Sequence, residues 1–261
     1  MYDMRAVAPT VCKVLGIRPP SSAQSIHLTE VVDSLGNTDK LIVVVIDAFG
    51  VSTWRKGREK VPTVNLMESI HGTVIHSVMK SITPVNFATM LTGASPETHE
   101  ITDREMPLRH ETVFDVMRES GLRSATAARG LSSLGILISP LADRPGIAES
   151  NLDVEVTDIA VKRLREGFNL IWVQLLDVDD AGHAFGPYSD ESMEALVRAD
   201  GNLGSILVAA KENDYSVIVL ADHGQHVSDS DPSKGTHGMS MPEDIEVPFL
   251  WANNDELITN L

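Results

Sequence analysis

Residues 41–50 read L-I-V-V-V-I-D-A-F-G. Six aliphatic side chains in a row, five of them β-branched, end on Asp47 and a turn closed by Gly50. A run that is apolar at every position predicts a strand buried on both faces, as in a parallel sheet covered by helices. Two later stretches have the same form. N-L-I-W-V-Q-L-L at 169–176 runs into Asp177, Asp179 and Asp180, and Y-S-V-I-V-L-A at 215–221 runs into Asp222-His223-Gly224. In open α/β sheets the functional crevice lies beyond the carboxyl ends of the strands. All three runs therefore aim acidic residues at one place.

The segments between these strands carry helical periodicity. Ile26, Leu28, Val31, Val32 and Leu35 predict an amphipathic helix over 26–35, and further helices are expected over 61–71, 111–119, 151–165 and 189–213. Residues 72–80 and 246–252 read as additional strands, and 123–128 as a short one. Strands alternating with helices of this length predict an α/β fold with a mainly parallel central sheet sandwiched by helices. No internal repeat interrupts the pattern, so residues 1–261 are expected to form a single domain. The Gly/Ser/Pro-rich stretch 130–150 is the one candidate for a small cap or lid.

Composition narrows the function classes. Hydrophobic residues make up 43% of the chain, enough for a full core and too many for a disordered protein. A formal net charge of -16 argues against a protein that grips a nucleic-acid backbone, which needs a basic stripe. No apolar run approaches the roughly 18 residues of a membrane helix. The single cysteine, Cys12, excludes an intrachain disulfide; with no visible secretory signal, a cytoplasmic setting is expected.

The chemistry-bearing residues cluster at the strand ends. Asp47, Asp179, His183, Asp222 and His223 follow the three buried strands, and G-T-H-G supplies His237 on a glycine-flanked turn. Taken singly, Asp47 reads as a helix N-cap and each histidine as a structural residue. Taken together, carboxylates and imidazoles suit Zn²⁺ and related ions better than Mg²⁺ or Ca²⁺, which prefer oxygen alone. Asp177 and Asp180 are expected to be solvated bystanders in a loop. In S-I-T-P-V-N-F, Pro84 marks a first helical turn, with Thr83 expected as N-cap and Gly93 closing the helix. A threonine hydroxyl becomes a competent nucleophile when a metal activates it. A helix N-terminus favours an anion such as phosphate, and Asn86, one turn in, carries an amide that can reach a non-bridging oxygen.

V-V-V-I-D-A-F-G, the stretch S-I-T-P-V-N-F-A-T-M-L-T-G-A-S-P-E-T-H-E-I, then L-L-D-V-D-D-A-G-H-A-F-G-P, A-D-H-G and G-T-H-G-M together resemble the alkaline phosphatase superfamily, nearest its nucleotide pyrophosphatase/phosphodiesterase branch. The resemblance implies two Zn²⁺ ions, with Mn²⁺ or another divalent transition metal as alternatives. One ion would be held by Asp47, Thr83, Asp222 and His223, the other by Asp179, His183 and His237. It implies hydrolysis of phosphodiester or nucleotide pyrophosphate bonds through a phosphothreonine at Thr83, with Asn86 on the transferred group and a small phosphate ester as substrate. A phosphomonoesterase or phosphonate hydrolase using the same residues, or a non-catalytic zinc-stabilised homologue, are the alternatives. Val85 between Pro84 and Asn86 departs from the Phe-Pro-Asn order of eukaryotic relatives. No C-x-P-x-R sulfatase motif is present, and the chain has no room for a phosphomutase cap. Trp54, Phe87, Phe185 and Tyr188 are the candidates for stacking on a base.

Overall fold

The computed structural model describes residues 2–261. Its strands are β1 (Leu41–Ile46), β2 (Gly72–His76), β3 (Ser124–Arg129), β4 (Ile147–Ala148), β5 (Leu170–Leu175), β6 (Ser216–Leu220), β7 (His226–Val227), β8 (Gly235–Thr236) and β9 (Glu246–Ala252). Seven of them form one sheet in the order β2-β9-β6-β1-β5-β3-β4, and β7 and β8 form a separate hairpin. From β6 across to β4 every pairing is parallel, while β9 runs antiparallel to both β6 and β2. The expected mainly parallel sheet is present, with β9 reversed.

β1 lies at the centre, between β6 and β5, and all six of its side chains are buried. Burying each aliphatic side chain contributes roughly 1.5–3 kcal/mol, so polar side chains are kept off these positions and first appear where the strand ends. The register pairs Ile46 with Leu175 and Val45 with Leu220. Three adjacent parallel strands therefore finish side by side, which brings Asp47, Asp222 and the acidic segment after β5 together.

Helices flank the sheet as two packed groups. Asp190–Glu212 packs on Asp153–Glu166, Pro62–Ile70 and Asn254–Asn260, whereas Val7–Val14 packs on Thr29–Leu35, Thr83–Thr92 and Val113–Glu119. Ser189 caps the longest helix through its side chain, and Thr112 forms a capping box with Asp115. No helix among the described residues is long and apolar enough to cross a membrane.

Several local expectations need correction. The first amphipathic helix starts at Thr29, and Ile26 lies outside it, 70% exposed. Beyond Gly93, which closes its helix as expected, the chain makes a further helical turn over Pro96–His99. The 130–150 stretch does not stand off the core as a lid. Leu134, Leu137 and Ile138 are buried in the core, and β4 pairs with β3 at the sheet edge. Its glycines serve close packing: a Cβ on Gly135 would sit 2.2 Å from the Arg129 carbonyl oxygen, and one on Gly146 would sit 2.2 Å from that of Thr126. Its serines are bound too, since Ser139 Oγ accepts from the Thr126 hydroxyl at 2.8 Å.

Candidate metal centre

Asp47 follows β1 directly and is fully buried. One carboxylate oxygen accepts a hydrogen bond from the Gln174 amide on neighbouring β5; the other, Oδ1, has no partner. Asp222 repeats the arrangement two residues beyond β6. Its Oδ1 accepts from the Ala48 N–H at 3.3 Å, and its buried Oδ2 has no partner. Ala48 sits at φ 57°, a left-handed conformation that costs a residue with a Cβ about 1 kcal/mol or more. The turn after β1 is thus held in a strained shape that presents its N–H to Asp222. The next turns press together so tightly that a Cβ on Gly50 would lie 2.7 Å from Gly224 Cα.

Asp179 and His183 lie on a helix, Asp177–Phe185, rather than in the expected loop. Their i,i+4 spacing sets both side chains on one face, and Asp179 Oδ1 is 3.4 Å from His183 Nε2. Gln225 donates to Asp179 Oδ1 at 2.6 Å. It reaches that far because residue 182 is glycine: a Cβ there would lie 1.7 Å from Gln225 Oε1. His237 follows β8 and stacks on His223, ring centroids 3.8 Å apart. Asp244, buried, accepts from the Met239 N–H at 2.8 Å and ties down the turn after His237.

The three imidazoles share a tautomer. Nδ1 of His223, His237 and His183 each faces a backbone carbonyl, of Gly224 at 3.0 Å, Ser81 at 2.9 Å and Gly235 at 3.1 Å respectively. A carbonyl only accepts, so each Nδ1 carries a proton, and in the neutral ring Nε2 is the atom that presents a lone pair. Those lone pairs converge. His237 Nε2 and His183 Nε2 are 3.1 Å apart, and His237 Nε2 is 3.7 Å from Asp179 Oδ1. His223 Nε2 is 3.5 Å from Asp47 Oδ1 and 3.4 Å from Asp222 Oδ2. Two groups, Asp47–Asp222–His223 and Asp179–His223–His237, have all their ligand atoms within 4.8 Å of one another.

Electrostatics point the same way. Burial, reinforced by Asp222 and Asp179, raises the Asp47 carboxyl well above its usual range. Burial and the Asp179 charge push Asp222 up to about 7. Burial lowers His223, and burial together with the neighbouring His223 lowers His237 to about 4. Without a cation, burial disfavours the charged carboxylates that face these imidazole nitrogens. A divalent cation satisfies every one of these atoms, and the mixed N/O donor set suits zinc or a similar ion.

The expected site residues are brought together, with two revisions of detail. Thr83 is the first residue of the helix Thr83–Thr92 and Ile82 is its N-cap; the Thr83 hydroxyl lies 3.1 Å from His223 Nε2. Asn86 is fully buried. Its Oδ1 accepts from the Val78 N–H at 2.9 Å and its amide donates to the Ile82 carbonyl at 3.2 Å. Asp177 and Asp180 are not bystanders, because both pair with the buried Arg129. Sequence reasoning missed Gln174, Gln225 and Arg129. Gln174 lies within a buried strand and Arg129 ends one, and a polar side chain at such a position is the signal that could have found them; Gln225, beyond the D-H-G turn, carries no such signal. Of the stacking candidates, Phe87 and Trp54 belong to the core and Phe185 is exposed. Tyr188 lines a cavity of about 600 Å³ beside His237, with His226, Met239, Met241 and Glu243.

A parallel sheet that delivers two acidic strand ends and a threonine-headed helix to one crevice is an alkaline phosphatase-like α/β fold. The chain belongs to the type I phosphodiesterase / nucleotide pyrophosphatase family, whose model matches residues 41–238. It is similar to venom phosphodiesterase 2 of Crotalus adamanteus, 25% identical over 221 residues that cover 70% of this chain and 26% of that protein. The chain thus spans about a quarter of the length of the curated relatives it matches. Among solved structures, human ectonucleotide pyrophosphatase / phosphodiesterase 5 aligns with TM-score 0.62 at 16% identity, covering 82% of this chain and 89% of that one. The C-terminal periplasmic domain of EcEptC from Escherichia coli, in complex with Zn, aligns with TM-score 0.60 at 17% identity, covering 86% and 76%.

Proposed function

We propose that this chain is a metal-dependent phosphohydrolase that cleaves phosphodiester or nucleotide pyrophosphate bonds, with Thr83 as nucleophile. The observation that carries this reading is the convergence of the unpartnered Asp47 and Asp222 oxygens on His223 Nε2, which itself lies 3.1 Å from the Thr83 hydroxyl. Asp47, Asp222, His223 and Thr83 would hold one ion, and Asp179, His183 and His237 the other. Two divalent ions there would supply Lewis-acid stabilisation of charge on the attacking and leaving oxygens.

The protein's own groups account for the rest. Thr83 Oγ1 attacks phosphorus in line, a P–O bond to threonine forms, and the bond to the leaving oxygen breaks, the proton lost from the threonine hydroxyl being balanced by one gained on the leaving oxygen. Water then cleaves the phosphothreonine, its oxygen staying on the phosphoryl product and a proton returning to Thr83 Oγ1. His223 Nε2, 3.1 Å away, accepts the hydroxyl hydrogen before metal loading and keeps Oγ1 turned into the site. The helix N-terminus at Thr83 favours the anionic phosphoryl group. Asn86 braces the segment before that helix through Val78 and Ile82.

The test is a hydrolysis screen with added Zn²⁺ or Mn²⁺ on a nitrophenyl phosphodiester, the matching monoester, a nitrophenyl sulfate and a dinucleotide polyphosphate. Turnover of the diester or the polyphosphate is expected, with little on the sulfate. Thr83→Ala is expected to cut kcat at least 10³-fold, a loss of about 4 kcal/mol of transition-state stabilisation, while the folded protein still binds metal. No activity of the wild type on any phosphorus ester would overturn the proposal.

A further inference from the structure

The two halves of the metal centre are built differently. Asp47 and Asp222–His223 are extensions of central strands. Asp179 and His183 ride on the helix Asp177–Phe185, whose placement depends on side chains from elsewhere. At the start of that helix stands Arg129, the last residue of β3, with a side chain only 2% exposed. Its guanidinium donates through Nε to Asp153 at 2.8 Å, through one terminal nitrogen to Asp180 at 2.7 Å, and through the other to Asp177. Asp153 in turn accepts from the backbone N–H groups of Leu176 and Asp177, at 2.7 and 2.8 Å. Arg198 closes the outer side by donating to Asp177 at 3.1 Å.

We infer that Arg129 and Asp153 form an anchor that positions the Asp179–His183 pair, so that binding of the second ion depends on a residue on β3, two strands from β1. The inference rests on the metal-centre reading given above. The planar fork is suited to the task, because one guanidinium holds two carboxylates of a first helical turn in fixed directions. Asp179 lies between these two carboxylates in sequence, and His183 lies one turn later. A rotation of the helix by a few degrees would carry His183 away from His237. Arg129 has its nitrogens committed to carboxylates and does not reach a substrate, so it acts as a positioning residue. Among the described residues the strand-end ligands Asp47 and Asp222 make no hydrogen bond or ion pair with Arg129, Asp153, Asp177 or Asp180, and Asp180 acts on Asp47 only through its charge.

The test uses the double variant D177N/D180N, which keeps Arg129, Asp153 and the charge pair that the fold needs, together with Arg129→Lys. Zinc binding by the full-length metal-free protein is titrated against a chromophoric chelator. His183→Ala marks loss of the second site and Asp222→Asn marks loss of the first. Loss of an outer partner of a metal ligand typically weakens binding about 10–100-fold. The double variant should weaken the step missing in His183→Ala by at least about tenfold and leave the other step within about threefold. Hydrogen exchange at the amides of residues 176–183 should quicken in the metal-free variant, with Arg129→Lys intermediate in both readouts. Parallel weakening of both steps, or no change in either, overturns the inference. A wild type that binds no zinc at all would instead overturn the metal-centre reading from which it starts.

Discussion

Asp222→Asn offers a direct reading of what the site costs the fold. The carboxyl is fully buried and pushed from its ordinary 3.8 to about 7 by burial and by Asp179. Below about pH 4, folded and unfolded chains both hold the proton and no penalty exists. Between about pH 4 and 7 the unfolded chain ionises while the folded chain keeps its proton, so the metal-free protein loses stability as pH rises. Above pH 7 the loss is complete, at roughly three pKa units or about 4 kcal/mol. An asparagine preserves the bond from the Ala48 N–H and can donate to the unpartnered Asp47 Oδ1. Burying its amide returns about 1–3 kcal/mol of that gain. The expected net stabilisation of the metal-free variant at pH 8 is therefore about 2 kcal/mol, or about 4 °C in Tm for a chain of this size. Urea unfolding at pH 8 and pH 4, with and without zinc, measures it. Zinc should stabilise the wild type strongly at pH 8 and the variant much less. A metal-free variant less stable than metal-free wild type at pH 8, or a gain that persists unchanged at pH 4, would refute the reasoning.

Three further outcomes are expected. Zinc affinity should rise between pH 5 and 8, about tenfold per pH unit for each proton that must leave a carboxyl titrating near 7, as Asp222 does; His237, lowered to about 4, contributes nothing in that window. Chelator competition at several pH values reads this directly. Gly182→Ala should displace Gln225 from Asp179, costing about 1–3 kcal/mol in urea unfolding and weakening zinc binding in the same titration. Ala48→Gly should relieve the left-handed turn after β1 and raise stability by about 0.5–1 kcal/mol, an effect that chevron kinetics would place on the folded state if it slows unfolding.

Much of the site was legible because its ligands follow strands that are apolar at every position. Asp47, Asp222 and His223 come directly after such runs, and β-strand burial leaves only the strand ends for charge. Asp179 and His183 were legible as residues, though their helix was not. D-V-D-D-A-G-H contains glycine and a dense run of acids, which repel one another and read as loop. The helix forms because Arg129 neutralises two of those acids and Asp153 takes the first backbone N–H groups. A similar inversion explains 130–150: small residues that read as flexible are small because Arg129, Gly130 and Thr126 carbonyls lie against them.

By itself, then, the order of residues determined the alternating α/β plan, the central place of residues 41–46 and the types of group collected at the strand ends. These follow from periodicity and from the cost of burying charge, both properties of a local stretch. The tertiary structure alone decided which carboxylate oxygens were left without partners, which imidazole nitrogens kept lone pairs and which distant amides steered them. Those outcomes depend on β6-β1-β5 adjacency and on contacts between residues as far apart in sequence as Asp47 and Gln174. Asp47 needed Gln174 on one oxygen and nothing on the other to become a candidate ligand, and only the folded sheet places it so.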